Sequence, residues 1–163
     1  MKVYHGTTDK IEQPLVAIGR PELDFGQGFY LTDKRKQAVE WARRMADRRL
    51  SSPIVNVYEL DIEKVYSSFR CLKFEKYDMA WLDFIAGNRQ GKKLWKGYDF
   101  VEGGIANDRV VDTVEGYIAG LISAEEALKR LMYFMPNNQI CLLNQQMTDD
   151  YLHFVKAINI KEK

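Results

Sequence analysis

The sequence predicts an α+β fold in a single domain over residues 1–163. Three observations carry that expectation. Short apolar strands and helices follow one another in mixed order, without the regular alternation that builds a doubly wound parallel sheet. A chain of 163 residues is the size of one domain and long enough for a proper core. Its 46% hydrophobic and 29% charged residues are the balance of an ordinary globular protein.

Taken in order, Lys2 to Gly6 reads as the first strand, and Thr7 to Leu23 as an irregular segment holding Pro14, Gly19 and Pro21. Gly26 and Gly28 flank Gln27 in a tight turn, where glycine admits positive φ and close approach of backbone to a ligand. Phe29-Tyr30-Leu31 is a short strand, and Thr32 or Asp33 can cap the helix that follows to about Leu50. Ala38, Trp41, Ala42 and Met45 recur on one face of that helix. Pro53 to Asp61 reads as a β-branched strand, Phe69 to Phe74 as another, and Tyr77 to Phe84 as a helix broken by Gly87 to Gly91. A basic loop surrounds Trp95. Gly97 to Asp108 then holds a strand, a turn at Gly103-Gly104, and a cap signal at Asn107 or Asp108 for a helix through Ile118. Ser123-Ala-Glu-Glu126 is a capping box for one more helix, reaching about Tyr133. A turn at Pro136-Asn137-Asn138 leads into the apolar strand Gln139 to Leu143. Thr148-Asp149-Asp150 reads as a further turn before a last strand, Leu152 to Ile160.

Composition excludes several function classes. A net charge of +1 creates no global field toward nucleic acid or membrane. No run approaches the roughly eighteen apolar residues of a membrane span, and Met1-Lys2-Val3-Tyr4 opens into a strand rather than a signal peptide, so a cytoplasmic address is expected. Cys71 and Cys141 sit in apolar runs and read as free buried thiols of a reducing compartment. With two histidines and no close Cys/His pair, no metal is expected. Lys34, Arg35, Lys36, Arg43, Arg44, Arg48 and Arg49 make one helix strongly basic. Such a run usually means a solvated face, the alternative being a docking surface for nucleic acid or an acidic partner.

Two motifs carry a resemblance. Phe25-Gly-Gln-Gly-Phe-Tyr-Leu-Thr32, with Trp41 eleven residues after Tyr30, resembles the second motif of the ADP-ribosyltransferases of the diphtheria-toxin and poly(ADP-ribose) polymerase type. Tyr4-His5-Gly6-Thr7 resembles the first. The resemblance implies a split, two-sheet fold with peripheral helices. It implies NAD as co-substrate and transfer of a single ADP-ribosyl group to a protein or nucleic acid. It also implies a toxin-like effector with a cognate antitoxin-like partner and no membrane contact. In relatives the tyrosine stacks on nicotinamide and a second aromatic closes the other face, which places Tyr30 and Trp41 there. Their histidine bonds the adenosine ribose and their glycine backbone holds the nicotinamide amide, which places His5 and Gly6, flanked by Tyr4 and Thr7, with Gly28 in the approaching turn. Their catalytic glutamate opens a late apolar strand, where this chain has Gln139, so that the catalytic set becomes His5, Tyr30 and Gln139. Ala38 stands where the polymerases have a serine that bonds the amide. Tyr98-Asp-Phe-Val101 with Ala106-Asn-Asp108 is similar to a pattern in small bacterial proteins of unassigned role.

The chemistry explains the residue types. Cleaving the nicotinamide–ribose bond passes through an oxocarbenium-like state. Offset stacking can hold the nicotinamide, at about 0.5–1.5 kcal/mol per face. A glutamate would both grip the ribose and favour its growing positive charge, whereas Gln139 can only grip, leaving Glu102 or Asp24 as sources of charge. Two alternatives follow: NAD hydrolysis with water as acceptor, and a non-catalytic NAD or ADP-ribose binding module. The residues also admit a plain structural reading, with His5, Tyr30 and Trp41 in the core and Gln139 an ordinary strand residue.

Overall fold

The computed structural model describes residues 1–106, 108–134 and 137–161, with the backbone alone at Asp108 and Arg109. In chain order its elements are β1 (Lys2–Thr7), β2 (Phe29–Leu31), α1 (Arg35–Arg49), β3 (Ile54–Leu60), α2 (Ile62–Ser68), β4 (Cys71–Lys73), α3 (Met79–Arg89), β5 (Phe100–Gly103), α4 (Asp108–Ile118), α5 (Ala124–Leu131), β6 (Gln139–Leu142), α6 (Gln145–Tyr151) and β7 (Leu152–Asn159). The class is α+β. One sheet has the order β1-β3-β7 and the other β2-β6-β5-β4, with β4–β5 the parallel pair. A single bridge between Tyr4 and Thr32 joins the two.

Strand alternation assigns each face. Val3, Phe29, Leu31, Tyr58, Leu60, Phe100, Ile140 and Leu142 point from both sheets into one shared core. Val101 and Cys141, one residue out of phase with Phe100 and Leu142, point the other way and meet Trp81, Ile85, Val110, Val114 and Leu131 of α3, α4 and α5. A third cluster packs Ala38 and Ala42 of α1 on Val55. Each fully buried large apolar side chain contributes about 1.5–3 kcal/mol, and the two-sided burial of the four-stranded sheet fixes its register.

Several local expectations change. Thr148-Asp149-Asp150 is no turn but lies within α6. Asn144 caps that helix, its side chain accepting from Met147 N–H at 2.9 Å, and Thr148 Oγ1 donates back to the Asn144 carbonyl at 2.8 Å. Helix α3 continues through Gly87 and stops where Gly91 adopts φ +79°. Helix α1 starts at Arg35 without a side-chain cap, although Thr32 Oγ1 accepts from Lys34 N–H at 3.1 Å. Ser123 caps α5 as expected. Gly103 closes β5 rather than opening a turn, and the cap position Asn107 and turn position Pro136 lie outside the described residues.

The stretch from Tyr98 to Asp108 acts in part as scaffolding. Asp99 accepts from Arg70 at its backbone N–H (3.0 Å), Nε (3.1 Å) and NH2 (3.1 Å), and from Asn144 Nδ2 (3.1 Å), tying the entry of β4 to the exit of β6. Those bonds, Arg70 first, hold the Asp99 carboxyl down to about 2, against the opposing effect of burial. A depressed folded value means stability that is fully present above the ordinary carboxylate value of 3.8 and is lost as pH falls toward 2. Asp99→Asn is therefore expected to unfold more easily than the parent at pH 7 and to converge with it as pH approaches 2. Denaturant midpoints across that range check this, and a constant difference at all pH would count against the clamp.

Candidate functional site

A cleft of about 740 Å³ opens between the edges of the two sheets and under α1, within the range of small-molecule sites. Its position follows from alternation. On β1, Gly6 and Tyr4 face α1 while His5 points the other way. On β2, Tyr30 lies opposite Cys141 of β6, so Tyr30 and Gln139 share the face that looks away from the shared core. His5, Gly6, Tyr30, Trp41 and Gln139 all line the cleft, drawn from four separate elements.

The site is set by internal bonds. His5 Nδ1 lies 2.7 Å from the Tyr30 carbonyl, which can only accept. Nδ1 therefore carries the proton and Nε2 is left as an acceptor. The ring stacks on Phe29 with centroids 4.4 Å apart. Burial lowers the His5 value, the bond to Tyr30 partly opposing it, so the imidazole is neutral at pH 7. Tyr30 Oη donates to the Gly26 carbonyl at 2.6 Å and accepts from Phe25 N–H at 3.2 Å. Burial first, then the neighbouring Cys141, pushes its hydroxyl far above the ordinary tyrosine range. The hydroxyl is thus no acid or base at neutral pH, and what Tyr30 offers is its ring. Gly26 makes that turn at φ +97°, and a Cβ there would strike the Trp95 ring at 2.1 Å.

Tyr30 and Trp41 line one cleft without stacking on each other. Gln139 is buried at the start of β6, paired through its backbone with Gly103, and its side chain has no hydrogen bond among the described residues. The loop before it is fixed by the Asn138 carbonyl, which accepts from Thr32 Oγ1 and Gln37 Nε2, both at 2.8 Å. Opposite, Tyr77 Oη and Trp81 Nε1 hold the Ile105 and Gly104 carbonyls at 2.7 and 2.9 Å.

Other placements differ from the expectation. Tyr4 packs with Ala38, Ala42 and Val55 in the α1 cluster and is not part of the cleft lining. Thr7 is buried beyond the cleft. Gly28 serves packing, since a Cβ would meet the Leu142 carbonyl oxygen at 2.5 Å. Glu102 supplies no charge to the cleft. Its carboxylate is buried elsewhere, accepting from Tyr66 Oη at 2.7 Å and Asn138 Nδ2 at 3.0 Å. Asp24 does line the cleft but is held by Arg89 Nε at 2.6 Å, and Arg89 also reaches Glu115 at 2.6 Å.

Arg89, Arg44, Glu40 and Gln37 also line the cleft; the sequence placed Arg44 only in the basic run of α1 and gave the other three no role. Gln37 had a usable signal, standing one helical turn before Trp41. Its Oε1 is buried without a partner among the described residues, a state that costs about 1–3 kcal/mol.

The family described as "Protein of unknown function (DUF3990)" matches residues 1–154. No curated protein and no solved structure matches the chain. Among the described residues no helix is long and apolar enough to cross a membrane.

Proposed function

The chain belongs to the DUF3990 family, and we propose that its cleft takes NAD and transfers a single ADP-ribosyl group to a protein or nucleic acid. The observation that supports this most is convergence. His5, Tyr30, Trp41 and Gln139, chosen from three separated motifs, line one cleft. Their internal bonds leave free the features the chemistry uses: two aromatic faces, the His5 Nε2 lone pair and the Gln139 amide.

In the proposed reaction the bond between the nicotinamide nitrogen and ribose C1′ breaks, and its electron pair leaves with neutral nicotinamide. A nucleophilic atom of the acceptor bonds to C1′ and gives up its proton. Neutral His5 accepts from a ribose hydroxyl, and the Gln139 amide orients the reacting ribose. A second reading, NAD binding without turnover, draws on Gln139 in the glutamate's place and on the ion pair that holds Asp24.

Incubating the full chain with NAD labelled in its ADP-ribose part and cell lysate separates the readings. Label on a macromolecule, sensitive to protease or to nuclease, means transfer, and free ADP-ribose means hydrolysis. Binding without either means a module, and no binding at all defeats the proposal. A paired substitution tests the role of Tyr30. Tyr30→Phe, which keeps the ring, is expected to lose about 1–3 kcal/mol of stability with its two hydrogen bonds and to retain NAD affinity. Tyr30→Ala is expected to lose about 1–3 kcal/mol of binding. Calorimetric titration of folded Tyr30→Ala with parental affinity would remove Tyr30 from the site.

A further inference from the structure

Helix α1 lines the cleft with Gln37, Glu40, Trp41, Arg44 and Met45, and three of these carry complementary chemistries in order along one stripe. Gln37, Trp41 and Arg44 stand at i, i+4 and i+7, so they share one side of the helix over roughly 10 Å of its length. The first is an acceptor with nothing to accept. Gln37 is 7% exposed, its Nε2 is committed to the Asn138 carbonyl, and its Oε1 is buried and unpartnered among the described residues. A flipped amide would set oxygen against the Asn138 carbonyl oxygen, so the assignment of acceptor and donor is fixed by that bond. The second group is a flat aromatic ring. The third is an exposed guanidinium that makes no ion pair among the described residues.

We propose that α1 reads the ligand's orientation, with Gln37 Oε1 accepting an amide N–H from the ring seated against Trp41 and Arg44 meeting the anionic group beyond it. This rests on the NAD reading above and deepens it: the nicotinamide carboxamide points toward the N-terminal end of α1 and the diphosphate toward its C-terminal end. Ala38 cannot perform the first task, because it is fully buried against the three-stranded sheet. Gln37, one position earlier, is turned to the cleft. A carboxamide satisfies Oε1, whereas a carboxylate in its place presents a second acceptor and repels it. The site is therefore selective for the amide form of the dinucleotide over its nicotinic-acid form.

The test is titration of the full chain with NAD, with nicotinic acid adenine dinucleotide, and with ADP-ribose, which lacks the ring. The parent is expected to prefer NAD over the acid form by about tenfold or more. Gln37→Met, close in shape and without the acceptor, is expected to bring that ratio near one; the loss of its Nε2 bond to the Asn138 carbonyl acts on both dinucleotides alike and leaves the ratio unaffected. Arg44→Ala is expected to weaken NAD and ADP-ribose alike, with a shallower salt dependence. A parent that does not discriminate the two dinucleotides overturns the inference without any variant, as does an unchanged ratio in folded Gln37→Met. Parental ADP-ribose affinity in Arg44→Ala overturns the stated orientation. If the parent binds ADP-ribose but neither dinucleotide, the Gln37 assignment falls. If it binds none of the three, the NAD reading falls and takes this inference with it.

Discussion

Gly6→Val is expected to lower stability by about 3 kcal/mol or more and to remove ligand binding with it. A Cβ built on Gly6 lies 2.0 Å from the Ala38 carbonyl oxygen and 2.8 Å from the Ala42 amide nitrogen. Both are helix backbone, so no flexible side chain can move aside, and α1 must shift as a body. Overpacking of a tight interior typically costs about 1–3 kcal/mol, and a rigid neighbour puts this site at the upper end or beyond. Gln37, Trp41 and Arg44 ride on the same helix, so the displacement reaches the cleft lining directly. Gly6→Ala should cost less, because it adds one methyl group where valine adds three carbons. Gly97→Ala is the control, since its Cβ would meet nothing within 4 Å. Urea midpoints order the three variants. If Gly6→Val unfolds at the parental midpoint, β1 and α1 do not approach as closely as described.

That contact also explains how much could be read from residues alone. The strand Phe29–Leu31 and the cap at Ser123 were legible because their signals are local: an apolar triplet between turn residues, and a serine three positions before a glutamate. The α+β class was legible from the residues and the two-sheet split only through the resemblance, while the pairing order was not, because nothing in a strand's own sequence names its partner. His5, Gly6, Tyr30, Trp41 and Gln139 were singled out by the resemblance of their motifs, and the fold brings all five to one cleft. Tyr4 was carried along with them, and it packs into the α1 cluster instead. Asp24 and Arg89 are 65 positions apart, and their 2.6 Å contact leaves no trace in either neighbourhood. The run from Tyr98 to Asp108 drew notice only as a pattern similar to one in proteins of unassigned role, and its Asp99 clamps strand ends. A buried carboxylate and a catalytic one look alike in a sequence, and only the partners distinguish them.

Under the proposed transfer reaction, turnover is expected to fall by about 10²–10³ in Gln139→Ala, the usual effect of deleting one preorganised polar partner of a transition state. The backbone of Gln139 is secured independently of its side chain, by pairing with Gly103 and by the two donors on the Asn138 carbonyl. Among the described residues the side chain makes no hydrogen bond that alanine would break, so the fold should survive and the effect should appear in kcat rather than in stability. Gln139→Glu is the opposite probe. An anion at this position would favour positive charge developing on the ribose, and no free carboxylate does so from Asp24, which Arg89 holds. Turnover should then be preserved or raised. An anionic acceptor reverses that expectation, because the new carboxylate repels it while hydrolysis by water is unaffected. Measuring NAD turnover for both variants, with and without acceptor, distinguishes these cases. Should Gln139→Ala match the parent in both binding and turnover, Gln139 is a strand residue whose place at the cleft is incidental.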